Sequence, residues 1–216
     1  MTKIKICGLT RPCDIAAANA VKPDYIGFVF AKSRRQVTPQ QAADLRAALN
    51  PEIVAVGVFV DETAENILAL CGENDKNGTR GIIDAIQLHG NEDDNFIRAL
   101  RAKTTATIIK AVSVEKKGDA QAWENCAADF LLLDNKHGGT GQVFDWGLIG
   151  EVKKPYFLAG GLSPENVSQA INALAPFAVD VSSGVEVDGA KCPEKMMLFV
   201  TSCNNPDPPT AIKSAR

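Results

Sequence analysis

The sequence has few of the features that mark membrane, secreted, metal-binding or nucleic-acid-binding proteins. None of its apolar runs approaches the length of a transmembrane helix, and the first residues show no signal-peptide pattern. Six scattered cysteines without a Cys-x-x-Cys pair, and only two histidines, predict free thiols, a cytoplasmic location and no metal site. A net charge of −3 gives no reason to expect nucleic acid or a membrane as partner.

What is present fits one soluble domain with a large core. The chain has 216 residues, of which 45% are hydrophobic. The last segment, 204–216, contains three prolines and little apolar content, so we expect a flexible tail after a domain over 1–203. The polar segment 73–81 predicts a surface loop.

Short β-branched runs alternate with helical patterns along the whole chain. Helix starts are marked by Thr38-Pro39 and Ser163-Pro164, a capping residue followed by proline. Eight strand–helix units predict an α/β fold of the closed (β/α)8 barrel type, with an open doubly wound sheet as the alternative. The predicted strands are 4–9, 25–30, 53–59, 85–89, 107–114, 130–134, 156–160 and 178–182. The predicted helices are 14–19, 39–49, 64–70, 94–102, 119–127, 145–152, 164–174 and 194–202.

Four strands carry a polar residue where a core is expected. Side chains two apart share a face of a strand, so Lys5, Gln87, Lys110 and Asp180 are predicted to point into the barrel. Burial of charge requires partners, which leaves either a structural layer of ion pairs or a functional site. Cys7, His89, Asp134 and Ser182 come later, at the carboxyl ends of strands, where this fold builds its active sites.

Two motifs place reactive groups at that rim. In KICG, Gly8 allows close approach of a ligand, and Lys5 on the face of Cys7 is expected to favour the thiolate. In LLLDNKHGGTG, an apolar strand delivers Asp134 to the rim, ahead of a loop with Gly139 and Gly141 that is predicted to cover a ligand.

Two consecutive loops have the composition of a phosphate site. LAGGLSPEN and VDVSSGVE offer backbone N–H groups after the seventh and eighth strands, where barrels of this type commonly bind phosphate. The candidate phosphate-binding residues here are Gly160, Gly161, Ser182, Ser183 and Gly184. The basic loop AKSRR offers guanidinium groups suited to a carboxylate.

With these motifs in order, the sequence resembles the phosphoribosylanthranilate isomerases of tryptophan biosynthesis. The likeness runs from about residue 3 to 200 and rests on KICGLT, GFVF with KSRR, VGVFV, QLHG, LLLD with GGTG and FDW, LAGGLSPENV and VDVSSGVE. It implies a single barrel of the ribulose-phosphate-binding type. It also implies a cofactor-free Amadori rearrangement of N-(5-phosphoribosyl)anthranilate to 1-(2-carboxyphenylamino)-1-deoxyribulose 5-phosphate. The implied partner is this small phosphorylated substrate, and the chain is expected to be a monomer or homodimer.

The resemblance also implies roles for individual residues. Cys7 matches the general base that removes the C2 proton, and Asp134 the general acid that protonates the ring oxygen. Arg35 matches the arginine on the anthranilate side, while His89 and Asp180 match substrate-binding positions at the rim. The glycine and serine loops named above match the phosphate site.

The chain departs from the family pattern before its last helix, in a short sixth loop at 135–137 and in a longer loop at 73–81, and it leaves alternatives open. The family usually has Lys-Asp where this chain has Lys191-Cys192-Pro193, which leaves the start of the last helix and the role of Cys192 undetermined. One alternative is another phosphate-binding barrel enzyme, similar to indole-glycerol-phosphate synthase or to aminoimidazole carboxamide ribotide isomerase. The second is a non-catalytic barrel that binds a phosphometabolite.

Overall fold

The fold is a closed barrel of eight parallel strands, seen in a computed structural model that describes residues 1–71, 81–135 and 145–205. Strands pair in chain order and β1 pairs with β8, which confirms the closed barrel over the open sheet. The strands are β1 Lys3–Cys7, β2 Tyr25–Val29, β3 Val54–Phe59, β4 Ala85–Leu88, β5 Thr107–Ser113, β6 Phe130–Asp134, β7 Tyr156–Leu158 and β8 Ala178–Val181.

Helices surround this sheet, although two of the predicted ones are wrong. The α-helices are α1 Pro12–Val21, α2 Pro39–Ala47, α3 Ala64–Cys71, α4 Asp94–Arg101, α5 Val167–Leu174 and α6 Pro193–Asn204. In place of the helices predicted over 119–127 and 145–152, the chain forms short 3-10 turns at Gln121–Trp123 and Trp146–Leu148.

Side chains near the start of each of these two segments explain the difference. The Asp119 carboxylate accepts hydrogen bonds from the N–H groups of Glu115 and Lys116, which precede it in the chain. It therefore does not cap a helix that follows it. The Asp145 carboxylate closes a turn on the N–H of Gly147, and Gly150 has a φ of +64°, which ends helical geometry.

One of the two predicted helix starts is confirmed. Thr38 caps α2, because its hydroxyl accepts the N–H of Gln41 and the Gln41 side chain accepts the N–H of Thr38. The start at Ser163-Pro164 is wrong, since α5 begins at Val167. Asn166 instead binds the N–H of Ser163 through its side chain and so holds the preceding residues in a turn.

The barrel interior is divided into an apolar lower half and a polar upper half. Near the amino ends of the strands, Phe157 contacts Tyr25 and Phe177 with ring centroids 5.3 Å and 5.6 Å apart. Phe130 lies 4.5 Å from Phe177, and the apolar side chains of this half form one cluster with Val56, Ala85, Ile109, Leu132 and Ala178. Lys5 and Asp180 are paired neighbours above this layer.

The prediction that Lys110 points into the barrel is wrong. Its neighbours in β5, Ile109 and Ala111, face the interior, so Lys110 faces the surrounding layer. There its Nζ donates to Glu92 at 2.9 Å, and it lies 5.3 Å from the centre of the Trp123 ring. Lys110 therefore belongs to a structural ion pair outside the barrel wall.

A small hairpin follows the eighth strand. After a 3-10 turn at Ser183–Val185, the two-residue strands β9 Glu186–Val187 and β10 Ala190–Lys191 pair antiparallel and lead directly into α6. No part of the sequence pattern predicted this hairpin. It brings two charged side chains, Glu186 and Lys191, back towards the barrel mouth, where both are buried.

No helix in the described ranges has the length and apolar character needed to span a membrane. The predicted loop at 73–81 and the predicted tail at 204–216 lie mostly outside the described residues. Within those ranges, only Gly81, Asn204 and Asn205 are described.

Candidate active site

The polar upper half of the barrel brings together the side chains predicted at the carboxyl ends of three strands. Cys7 ends β1, His89 directly follows β4, and Asp134 ends β6. Cys7 and Asp134 are nearly buried, with 8% of each residue exposed. Asp134 Oδ2 lies 3.8 Å from His89 Nε2. These groups from distant parts of the chain therefore line one end of one barrel.

Burial makes Asp134 easier to protonate than an ordinary carboxyl group. Its pKa rises to about 6, mainly because burial disfavours the charged form, and nearby Asp180 adds to the rise. The N–H of Asn135 and the charge of Lys5 act in the opposite direction, but burial dominates. A carboxyl group with this pKa is suited to donate a proton at the pH of the cell.

His89 lies beside this carboxyl group as a neutral imidazole. Burial, together with the charges of Lys5 and Lys110, lowers its pKa to about 4. Gln87 Nε2 lies 2.8 Å from His89 Nδ1, and an amide donor there leaves the ring proton on Nε2, facing Asp134. At neutral pH the contact between His89 and Asp134 is therefore not an ion pair.

The surroundings of Cys7 differ from the sequence prediction in one respect. Lys5 lowers the pKa of Cys7 as expected, but burial raises it more strongly, so the net pKa lies above its ordinary value. Space for the sulfur comes from Gly27 on the neighbouring strand, where a Cβ atom would lie 2.6 Å from Cys7 Sγ. Lys5 therefore favours the thiolate as predicted, but it does not bring the pKa of Cys7 below its ordinary value.

Lys5 and Asp180 form a buried ion pair beside Cys7. Lys5 Nζ donates to Asp180 Oδ2 at 3.0 Å, and neither side chain is more than 9% exposed. Burial by itself lowers the pKa of Lys5, but Asp180 and Cys7 raise it above its ordinary value. Burial also raises the pKa of Asp180, and the charge and hydrogen bond of Lys5 act against that rise. Among the described residues, Asp180 Oδ1 has no hydrogen-bond partner, which leaves one acceptor oxygen for a ligand.

Arg35 lies over the mouth of the barrel, held by Glu186. Its Nε and Nη2 donate to the two oxygens of Glu186 at 2.7 Å and 3.0 Å. The side chain crosses Gly8, which has a φ of +83° and where a Cβ atom would lie 2.4 Å from Arg35 Cδ. Gly8 is thus needed for the position of Arg35. Arg34 also contacts Glu186 but is 56% exposed.

The two loops predicted to hold phosphate pack against one another. A Cβ atom on Gly184 would lie 2.0 Å from the carbonyl oxygen of Leu162, so only glycine permits this contact. Gly160 and Gly161 have φ values of +83° and +68°, and no acceptor in the described part of the chain receives their N–H groups. Gly139 and Gly141 lie outside the described residues.

A cleft of about 1030 Å³ at the opposite end of the barrel contains none of the predicted site residues. It is bordered by Asp84 and Thr107, which lie at the amino ends of β4 and β5. Active sites of this fold lie at the carboxyl ends of the strands. This cleft is therefore not a candidate active site.

Comparison with known proteins gives the family. The family model of N-(5'phosphoribosyl)anthranilate (PRA) isomerase matches residues 4–202. The chain belongs to this family. The PRA isomerase of Endomicrobium trichonymphae is 43% identical over 204 residues, which cover 93% of this chain and 97% of the relative.

Solved PRA isomerase structures have the same fold. The structure from Thermotoga maritima is 36% identical, covers 95% of this chain and all of its own, and superposes with a TM-score of 0.82. A PRA isomerase in complex with reduced 1-(o-carboxyphenylamino)-1-deoxyribulose 5-phosphate is 35% identical, with a TM-score of 0.79 and coverage of 95% and 100%.

In this member of the PRA isomerase family, Glu186 was not predicted from the sequence. Burial by itself raises its pKa, but hydrogen bonds from Arg35 and Lys191 bring the pKa below its ordinary value, so Glu186 is charged. The one available signal was the acidic residue that ends VSSGVE. Its partner Arg35 lies 151 positions earlier, which is why sequence spacing did not reveal the pair.

Proposed function

We propose that the chain catalyses the Amadori rearrangement of N-(5'-phosphoribosyl)anthranilate to 1-(2-carboxyphenylamino)-1-deoxyribulose 5-phosphate in tryptophan biosynthesis, with Asp134 as general acid and Cys7 as general base. The observation that carries this assignment is the pair itself. A carboxyl group with a pKa of about 6 and a buried thiol lie at the carboxyl ends of two strands of one barrel. Family membership supports the reaction.

The proposed reaction has two proton transfers that these groups can perform. Asp134 donates its proton to the ring oxygen as the C1–O bond breaks, which gives an open-chain iminium. The Cys7 thiolate then removes the proton from C2, and the electron pair of that C–H bond forms an enol conjugated to the amine. Loss of the enol O–H proton and protonation at C1 give the ketose, so the substrate gains and loses no atoms overall.

Reverse protonation follows from the two pKa values. In the free enzyme at neutral pH, most Asp134 is ionised and most Cys7 is a thiol, which is the opposite of what the reaction requires. The reactive form therefore has one proton moved from Cys7 to Asp134. Neutral His89 beside Asp134 adds no positive charge, so it does not oppose protonation of that carboxyl group.

The substrate is held at its two charged ends in this proposal. We place the phosphate between the loops of Gly160 and Gly161 and of Ser182, Ser183 and Gly184, with Gly139 and Gly141 contributing from the loop after β6. Arg35 faces the anthranilate carboxylate with Nη1, which makes no hydrogen bond to the described residues. The unpartnered Asp180 Oδ1 is placed to accept a ribose hydroxyl, and His89 contacts the sugar. We also propose the cytoplasm as the location.

A coupled fluorescence assay that follows consumption of phosphoribosylanthranilate tests the proposal. Cys7→Ser and Asp134→Asn each keep the size of the side chain and remove the proton-transfer group. Each variant is expected to lose roughly 10²–10⁴-fold in turnover, with a modest change in KM. Exposed Asp44→Asn is a control with the same chemical change at a distant helix. Activity that survives both substitutions would reject the mechanism.

A further inference from the structure

Lys191, on β10, is a buried lysine that the proposed reaction does not use. Its side chain is 1% exposed, and its Nζ donates to Glu186 Oε1 at 2.5 Å. The same ammonium group lies 3.0 Å from the carbonyl oxygen of Ser182 and 3.3 Å from the Ser182 hydroxyl. That hydroxyl in turn donates to the carbonyl oxygen of Cys7 at 3.0 Å. A continuous set of hydrogen bonds therefore joins the hairpin to the backbone of Cys7.

The positive charge of Lys191 is not required to neutralise Glu186. Arg34 and Arg35 both donate to the same carboxylate, at 2.7 Å for their shortest contacts. Three cations thus surround one buried anion. Burial of a surplus ammonium is costly for stability, and such a cost is usual where a charge serves a site.

We propose that Lys191 is a positioning residue for the base, holding the Ser182 turn against Cys7 and supplying positive charge that favours the Cys7 thiolate. The role of Lys191 in catalysis rests on the proposed function, whereas its effect on the pKa of the Cys7 thiol does not. Lys191 touches neither the sulfur nor, in the proposed arrangement, the reacting atoms. It acts through Ser182 and through its charge.

Charged groups around Cys7 come from three elements. Burial is the largest influence and raises its pKa; Lys5 on its own strand then lowers it, Asp180 on β8 raises it and Lys191 on β10 lowers it. Lys5 and Asp180 form an ion pair with each other, so their effects on the pKa of Cys7 oppose one another. On the other side, β2 contributes uncharged Gly27, and Arg35 above Gly8 is bound to Glu186. Lys191 is therefore the main additional basic group. Burial lowers the pKa of Lys191 itself, and Glu186 opposes that effect.

The experiment measures the thiol directly and needs no substrate. The rate at which iodoacetamide alkylates Cys7 is followed from pH 7 to 10.5 by mass spectrometry of the peptide that contains Cys7. In Lys191→Met the pH of half-maximal rate should rise by about 0.5–1 unit, because a nearby positive charge is lost. Lys191→Arg should restore most of the shift. Lys195→Met is the matched control, since among the described residues Lys195 donates a hydrogen bond only to the backbone carbonyl oxygen of Glu186.

Turnover is measured on the same variants. The kcat/KM of Lys191→Met should fall, with Lys191→Arg recovering part of it. If Lys191→Met does not fold by circular dichroism, Lys191→Gln tests the same point, because it retains a donor and removes the charge. An unchanged alkylation midpoint in the folded uncharged variant overturns the inference, whatever happens to turnover. The two proposals can fail separately. If the alkylation midpoint shifts in the variant but the wild-type protein does not consume phosphoribosylanthranilate, the charge effect is supported and the proposed function is rejected.

Discussion

Replacement of Asp134 by asparagine is expected to stabilise the protein at the same neutral pH at which it lowers turnover. Burial raises the pKa of Asp134 from its ordinary 3.8 to about 6. A group whose folded-state pKa is raised contributes stability below its unfolded pKa and loses it as pH rises through the folded pKa. Each unit of pKa corresponds to about 1.4 kcal/mol, so ionised Asp134 costs about 3 kcal/mol above pH 7.

The size of the gain should follow pH. With these two pKa values the cost is about 3 kcal/mol at pH 8, about 1.5 kcal/mol at pH 5 and below about 1 kcal/mol at pH 4. Asparagine carries no charge and keeps an oxygen for the N–H of Asn135, which now donates to Asp134 Oδ1 at 2.7 Å. The free-energy difference between Asp134→Asn and wild type should therefore grow from pH 4 to pH 8.

Urea unfolding at pH 4.5, 6 and 8 measures this difference, with m-values compared to verify that the same surface is exposed. Exposed Asp44→Asn provides the baseline for the loss of one carboxylate at the surface. A difference between Asp134→Asn and wild type that stays constant across this range would refute the reasoning, because the pH dependence arises only if Asp134 titrates at different pH in the folded and unfolded states.

Two further predictions concern binding and rate. Arg35→Ala should raise KM by about 10–100-fold, as expected for loss of a charged hydrogen bond. Arg34→Ala, at an exposed side chain, should change KM little. Steady-state kinetics measures both variants, and equal effects would contradict the assignment of Arg35 to the anthranilate carboxylate. The dependence of kcat/KM on pH should be bell-shaped, with the lower limb near pH 6 from Asp134 and the upper limb from Cys7. Since the pKa of His89 is about 4, His89→Asn should leave both limbs in place, and a lost limb would show that the histidine titrates in the reaction.

The sequence predicted the positions of those site residues that lie at the end of a strand. Cys7 and Asp134 are each the last residue of a strand, and the carboxyl ends of parallel strands meet at one rim. Lys110 was misplaced because β5 is apolar on both faces, so that its pattern does not state which face is inward. Only the register with β4 and β6 decides this.

The residues that the sequence did not predict depend on contacts between distant segments. Glu186 and Lys191 lie in two-residue strands, which are too short to show an alternating pattern. Their partners lie elsewhere in the chain: Arg35 in the loop after β2, and Ser182 directly after β8. The pKa of Cys7 was misjudged for a related reason. Sequence showed the neighbouring lysine but not how completely the barrel excludes water from the sulfur.

The aromatic layer near the amino ends of the strands closes one end of the barrel interior. Tyr25, Phe130, Phe157 and Phe177 pack ring against ring across it. Among the described residues, this layer leaves the opening at the carboxyl ends of the strands as the route to the site. In the proposed reaction, the ketose that has just formed leaves by the route on which the next substrate enters.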